Sequence, residues 1–125
     1  MSGLTLDAGA LVALERGDEQ VRALLRRAGE RSLNVSVPAG VVAQVWRGGA
    51  RQAAVARLLA LPSTEVVLLD EFGARAVGLV CGASGHADVV DVHVALVARE
   101  RAAVVVTSDP DDLARVDPGL RLVVV

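Results

Sequence analysis

Five short runs of apolar residues alternate along the chain with longer segments in which apolar residues recur at helical spacing. Each run is five or six residues long, rich in Val and Leu, and continuous rather than alternating with polar positions. Such runs are typical of strands buried on both faces of a parallel sheet. They occupy residues 3–7, 33–37, 65–69, 103–107 and 120–125.

The segments between these strands carry helical spacing and helix-ending residues. Val21, Leu24, Leu25 and Ala28 fall on one helical face. Asp18, Asp70 and Asp88 each precede an apolar helical pattern as N-caps, and Pro38 begins a helix that Gly48-Gly49 ends. The pattern predicts helices over residues 9–15, 18–29, 38–48, 51–61, 70–82 and 88–101, a loop over 82–86, and a short helical turn from Asp109.

Strands that alternate with helices in this way predict an α/β fold. We expect one domain over residues 1–125, with a mostly parallel central sheet of about five strands and helices on both faces. The length of 125 residues fits one hydrophobic core.

The composition of the chain limits where in the cell the protein is expected and which chemistry it can perform. No apolar stretch approaches the roughly 20 residues of a membrane helix, the first residues lack a signal-peptide pattern, and the only cysteine is Cys81. We therefore expect a cytoplasmic protein without a membrane partner. Net charge is −2, all 13 basic residues are Arg, and aromatic residues make up 2% of the chain. This composition excludes a catalytic lysine and a base-stacking aromatic platform.

Three aspartates stand in or beside apolar elements. Asp7 ends the first predicted strand, Asp91 lies among valines within a predicted helix, and Asp109 follows the fourth strand. Ligands of open α/β sheets bind outside the carboxyl ends of the strands, near the point where strand order reverses. Asp88 lies three residues before Asp91, on the same helix face. The positions predict one shared acidic site.

A cluster of carboxylates needs a counter-charge. Two carboxylates about 5 Å apart repel by roughly 3 kcal/mol at an effective dielectric of about 20. Oxygen ligands without a cysteine or a histidine pair favour Mg²⁺, with Mn²⁺ as an alternative. A second interpretation treats Asp7, Asp88 and Asp109 as helix N-caps, but it does not account for Asp91 inside its helix.

Three segments resemble the PIN-domain ribonucleases, and among them the VapC-like toxins of toxin–antitoxin pairs. Residues 6–14 resemble the opening strand and first acid of that family, 88–95 its central acidic helix, and 107–113 its closing motif. The resemblance implies a PIN-like fold and a Mg²⁺-dependent endoribonuclease. It also implies Asp7, Asp91 and Asp109 as catalytic metal ligands, joined by Asp88.

Gln44 is the one departure from that pattern, since the family has a glutamate there. A glutamine can ligate through its carbonyl oxygen but brings no charge, so metal affinity should fall. We place Gln44 among the catalytic residues. The alternative function is a catalytically weak or inactive PIN-like domain that binds RNA or a partner.

The remaining predictions concern substrate contacts and partners. Arg47, one turn after Gln44, is a candidate phosphate contact, and the Thr107 hydroxyl is a second candidate at the substrate. The resemblance implies an RNA substrate, a cognate antitoxin and a homodimer. Short apolar helices at residues 9–15 and 51–61 are expected to expose an apolar patch that these partners cover.

Overall fold

A computed structural model describes residues 3–125. Met1 and Ser2 lie outside the described residues, although the predicted domain and the segment expected to lack a signal-peptide pattern both include them. All five strands pair in parallel in one sheet, in the order β3-β2-β1-β4-β5. Strand order therefore reverses between β1 and β4. The strands are β1 Gly3–Leu6, β2 Asn34–Pro38, β3 Thr64–Val67, β4 Val104–Thr107 and β5 Leu122–Val124.

Among residues 3–125, seven α-helices connect and cover this sheet on both faces, which confirms the predicted α/β class. They are α1 Ala8–Glu15, α2 Glu19–Glu30, α3 Ala39–Val45, α4 Ala53–Ala60, α5 Glu71–Ser84, α6 Val89–Glu100 and α7 Pro110–Val116. A single 3₁₀ turn, Ala50–Gln52, precedes α4.

The core lies at the centre of the sheet, where continuous apolar strands were predicted. Every residue of β1 and β4 is buried, and Leu4 is in register with Val35 on one side and Val104 on the other. Val94 and Ala98 of α6 belong to the same core. Because β1 and β4 are fixed from both sides, their carboxyl ends form a rigid base for the residues that follow.

The third strand differs from the prediction. β3 forms an edge of the sheet and ends at Val67, so the apolar residues that follow it are not buried. Leu68 is 76% exposed. A continuous apolar run does not distinguish an edge strand from a central one, since only the sheet order decides which strand has two neighbours.

Two helix ends also differ from the prediction. Helix α3 ends at Val45 rather than at Gly48, because the buried side chain of Gln52 bonds to the chain that follows it. Its Oε1 accepts the backbone N–H groups of Arg47 and Gly48, at 2.8 and 2.9 Å, and its Nε2 donates to Val45 O and Glu15 Oε1. Helix α5 continues through Gly82 to Ser84, and Gly85 ends it in the left-handed region at φ 74°.

The exposed apolar surface also lies in a different place from the one predicted. In α1, Ala10, Leu11 and Leu14 are buried, and α4 buries Val55 and Leu58. The most exposed large apolar side chains are instead Phe72 at 85%, Leu79 at 77% and Leu68, on α5 and the segment before it. A shallow apolar patch remains beside α4, around Trp46 and Leu59.

Among residues 3–125, no single helix is long and apolar enough to cross a membrane. Only α5 and α6 taken together, with a bend of 109° between them, meet the criterion of length and composition.

Candidate active site at the carboxyl ends of the central strands

Asp7 follows β1 at the point where strand order reverses. Its backbone N–H donates to Val106 O of β4 at 3.3 Å, which ties the two neighbouring strand ends together. Its Oδ1 accepts the Ala10 N–H at 3.0 Å and so caps α1. The capping bond engages the Oδ1 atom of Asp7. Asp7 can therefore be the predicted N-cap of α1 and also belong to a shared site.

Burial controls the ionisation of Asp7. The side chain is buried, and desolvation raises its pKa, while hydrogen bonds from the Thr107 hydroxyl and the Ala10 and Gly9 backbone N–H groups oppose that rise. A buried carboxylate that receives these donors is held in place but carries unfavourable desolvation energy. A cation in contact with it would lower that energy.

Asp91 lies in the first turn of α6, and Asp88 caps that helix. Oδ1 of Asp88 accepts the N–H groups of Val90 and Asp91, at 2.9 and 3.2 Å. Desolvation raises the pKa of Asp91, and the negative charge of Asp88 raises it further. The Nε2 atom of His86 opposes this effect through a hydrogen bond to Oδ2 of Asp91.

Asp109 follows β4 after Thr107 and Ser108. Unlike Asp7 and Asp88, it makes no side-chain cap for the helix that it precedes. A hydrogen bond with Asp112 is the main cause of its raised pKa, with repulsion from Asp112 and Asp91 adding to it. Two carboxyl groups in hydrogen-bond contact share a proton unless a cation replaces it.

These acids line a single pocket of about 240 Å³. Asp7, Asp88, Asp91 and Asp109 all contribute to its wall, as the sequence predicted, and Gln44 reaches it from α3. The remaining lining residues are Ala8, Gly9, Val41, Val90, Val94, Ser108 and Asp112. Residues separated by more than 100 positions in the sequence therefore meet at one end of the sheet.

Gly9 allows the first helix to approach this site closely. A Cβ atom at Gly9 would overlap the Ser108 hydroxyl and come within 3.2 Å of the Ser108 backbone N. Any side chain there would separate α1 from the segment that follows β4. The absence of a side chain is thus a geometric requirement for Asp7 and Asp109 to share a pocket.

Thr107 does not have the expected position at the substrate. It is completely buried, and its Oγ1 accepts the Asp109 N–H at 2.8 Å while its hydroxyl bonds to the Asp7 carboxylate. We therefore correct the prediction that Thr107 contacts the substrate directly, because a buried hydroxyl group cannot reach a bound substrate. Thr107 instead links the two acids that follow β1 and β4.

Arg47 is exposed, but its guanidinium turns back toward the end of α3. Nη1 donates to Trp46 O at 2.7 Å and to Ala43 O at 3.2 Å. Arg47 is not among the residues that line the acidic pocket. A phosphate contact through Arg47 requires the side chain to leave these carbonyl groups.

The donor set suits a hard divalent cation, although its side chains do not converge tightly. Carboxylates and the Gln44 amide supply only oxygen ligands, which Mg²⁺ and Mn²⁺ prefer. Burial raises the pKa of Asp7 and Asp91, and the hydrogen bond with Asp112 raises the pKa of Asp109, so a bound cation would favour the ionised form of each of these acids. Within residues 3–125, no three His, Cys, Asp or Glu side chains form a ready metal cluster. A bound ion would therefore require small rotations of these side chains.

Two residues of the site were not singled out from the sequence. Asp112 lines the pocket and contacts Asp109, and a signal was present because Asp109 and Asp112 repeat the three-residue spacing of Asp88 and Asp91. His86 falls in the loop predicted over residues 82–86, and nothing in the local sequence indicates a contact with the site. Its side chain is only 13% exposed and contacts Asp91.

The sequence and the fold both resemble known proteins. Residues 4–118 match the family described as "PIN domain". The crystal structure of FitAcB from Neisseria gonorrhoeae matches with a TM-score of 0.61 at 19% identity, over 95% of each chain. The structure of FitAB bound to an IR36 DNA fragment also matches with a TM-score of 0.61, at 16% identity, over 96% of this chain and 93% of that one. No curated protein matched the sequence significantly.

Proposed function

The chain belongs to the PIN-domain family, and on that premise we propose that it is a metal-dependent endoribonuclease, the toxin of a toxin–antitoxin pair. One observation carries this proposal. Three elements, β1, β4 and α6, bring Asp7, Asp88, Asp91 and Asp109 into one pocket at the carboxyl ends of β1 and β4. Domains of this family are generally nucleases that use divalent ions, and these carboxylates are the groups that such an ion requires.

In this proposal Asp7, Asp91 and Asp109 hold Mg²⁺ or Mn²⁺, with Asp88 close enough to contribute and Gln44 offering its amide oxygen. When bound, the ion supplies positive charge beside the phosphodiester and activates water for hydrolysis. A phosphodiester is repelled by the carboxylates alone, so the pocket accepts RNA only once a cation has neutralised part of their charge.

The other groups of the site hold these acids in position. The Thr107 hydroxyl and the α1 backbone N–H groups fix Asp7. His86 engages Oδ2 of Asp91, which leaves Oδ1 for the pocket. Asp112 lines the pocket together with Asp109 and adds a further carboxylate to the set that a cation would neutralise.

Partners belong to the same proposal. Resemblance to VapC-like toxins supports a cognate antitoxin that covers the acidic pocket and a homodimer of this chain. The exposed apolar side chains of Leu68, Phe72 and Leu79 supply a surface suited to protein contact.

The decisive experiment is RNA cleavage by the purified protein. We expect cleavage of single-stranded RNA in Mg²⁺ or Mn²⁺, none in EDTA, and a loss of at least 100-fold in Asp7→Asn, because one charged ligand is removed. Equal cleavage by wild type and Asp7→Asn would indicate a contaminating nuclease and contradict the proposal.

Metal binding can be measured without activity. Mg²⁺ or Mn²⁺ should raise the melting temperature, since a ligand present at 100 times its Kd stabilises the folded state by about 2.7 kcal/mol. Asp91→Asn should reduce this shift. Asp70→Asn is the matched control, because Asp70 is another capping aspartate but does not line the pocket, and asparagine caps equally well. Equal shifts in both variants would place the ion elsewhere.

A further inference from the structure

A groove lies along α1, next to the acidic pocket. It has a volume of about 550 Å³ and is lined by Gly9, Val12, Ala13, Arg16, Asp18, Ser108 and Val125. Gly9 and Ser108 line the acidic pocket as well, so the two spaces share that pair of residues. The groove therefore adjoins the candidate active site.

The residues of α1 that line the groove share one helical face. Gly9, Val12, Ala13 and Arg16 follow the spacing i, i+3, i+4, i+7. Arg16 follows Asp7 by nine residues, which at about 1.5 Å per residue places it roughly 13 Å along the helix axis. The groove thus begins at carboxylates and ends at a guanidinium, with a small apolar surface between them.

Arg16 is available for a ligand. It is exposed, and it takes part in no salt bridge among residues 3–125. Arginine presents several donors that fit a phosphate group. Arg47, by contrast, directs its guanidinium to the carbonyl groups of Ala43 and Trp46 at the end of α3.

Asp18 is the opposing charge in the groove. Its Oδ1 accepts the Val21 N–H at 3.0 Å and caps α2, so the helix dipole compensates part of its charge. The Asp18 carboxylate still repels an anion at this position, so its replacement by a neutral side chain is expected to favour anion binding.

Resting on the proposed ribonuclease function, we propose that this groove binds the single-stranded RNA next to the cleaved bond, with Arg16 on a flanking phosphate. The acidic pocket repels a polyanion, so binding requires a cation further along the strand. Arg16 is the cation that the groove itself provides, and the apolar surface of Val12 and Ala13 accommodates a nucleoside without hydrogen-bonding to its base. The groove therefore fits RNA without strong sequence preference.

The test is binding of a fluorescent single-stranded oligoribonucleotide, with every protein, including the reference, carrying Asp7→Asn so that the strand is not cleaved during the measurement. Arg16→Gln should weaken binding roughly fivefold, the value of one partly exposed charged contact. It should also reduce the slope of log K against log salt concentration by about 0.7, since one phosphate contact is lost. Arg16→Lys should recover part of the affinity.

Two further variants make the test specific. Asp18→Asn keeps the N-cap but removes a negative charge from the groove, so it should tighten binding. Arg26→Gln is the matched control, an exposed arginine on α2 that lines neither the groove nor the acidic pocket. It removes the same net charge and should leave affinity and salt slope unchanged.

The possible outcomes separate this inference from the proposed function. If Arg16→Gln and Arg26→Gln bind the oligonucleotide equally, the groove assignment is overturned, even when wild type cleaves RNA. If wild type cleaves nothing but Arg16→Gln still weakens binding selectively, the nuclease proposal fails and the groove stands. If Arg16→Gln binds RNA normally but weakens the complex with the co-expressed product of the neighbouring upstream reading frame, the groove binds a protein and the RNA assignment is overturned.

Discussion

The Nε2 atom of His86 lies 3.1 Å from Oδ2 of Asp91, and both side chains are largely buried. His86 is held by the turn that ends α5, where Gly85 adopts a left-handed conformation and the His86 N–H donates to Ser84 Oγ. The histidine does not line the acidic pocket itself. It therefore acts on the site through Asp91, by fixing which carboxylate oxygen faces the pocket.

The His86 contact predicts a specific loss of metal affinity. His86→Ala frees the Asp91 carboxylate to rotate, so the Kd for Mn²⁺ should rise about tenfold, as is usual when a residue supporting a metal ligand is removed. Calorimetric titration measures this change. His86→Gln retains a hydrogen-bond donor and should recover part of the affinity. An unchanged Kd in His86→Ala would contradict a positioning role.

Gln44 predicts a gain of function. Gln44→Glu adds a negative ligand at the edge of the acidic pocket, so metal binding should tighten by about tenfold and RNA cleavage should increase at limiting Mg²⁺. Gln44→Ala removes the amide without adding charge and serves as the comparison. Both variants should fold normally, because Gln44 is exposed. Weaker metal binding by Gln44→Glu would show that this side chain does not face the ion.

The ion pair between Asp117 and Arg99 should stabilise the fold in a pH-dependent way, independently of the acidic pocket. Arg99 donates to the Asp117 carboxylate through Nε and Nη2, both at 2.7 Å, and these hydrogen bonds lower the pKa of Asp117. A lowered pKa in the folded state stabilises the fold above the unfolded value of about 3.9. That contribution is lost as the pH falls through the folded pKa.

Asp117→Asn should accordingly lower the free energy of unfolding by about 1 kcal/mol at pH 7, a modest value because Arg99 is mostly exposed. The difference from wild type should shrink below about pH 4. Urea titrations at pH 7 and pH 3 measure this change, with exposed Asp111→Asn as control. A difference that is equal at both pH values would exclude the ion pair as its source.

The exposed apolar residues predict self-association. Sedimentation at micromolar concentration should show a dimer, and Phe72→Ser should shift the equilibrium toward monomer, since 85% of that side chain is exposed in the single chain. Leu61→Ser is a control, because Leu61 is also exposed but follows α4. A strictly monomeric wild type would count against the homodimer.

The sequence predicted the sheet and its acids for a common physical reason. Buried parallel strands produce continuous apolar runs, and the carboxyl ends of such strands meet at one edge, so Asp7 and Asp109 could be placed together before the structure was known. Asp91 was noticed because an aspartate among valines is unusual. In each case local sequence carries the information.

Other features depend on tertiary contacts that no local pattern encodes. The exposure of β3 follows from sheet order. The contact of His86 with Asp91 follows from where α5 ends, two residues after the predicted end at Gly82. The buried Gln52 ends α3 early through bonds to residues on both sides of a turn. The burial of Thr107 likewise becomes evident only when β1 and β4 are paired.

The position of β4 in the sheet has a consequence for synthesis in the cell. β4 lies beside β1 at the centre, yet it is the fourth strand to leave the ribosome. A nascent chain that has reached only Glu100 already contains Asp7, Gln44 and Asp91, but it lacks the strand that anchors Asp7 and carries Asp109. The pocket can therefore form only after β4 has inserted next to β1, and under the proposed toxin function the growing chain stays harmless until that late step.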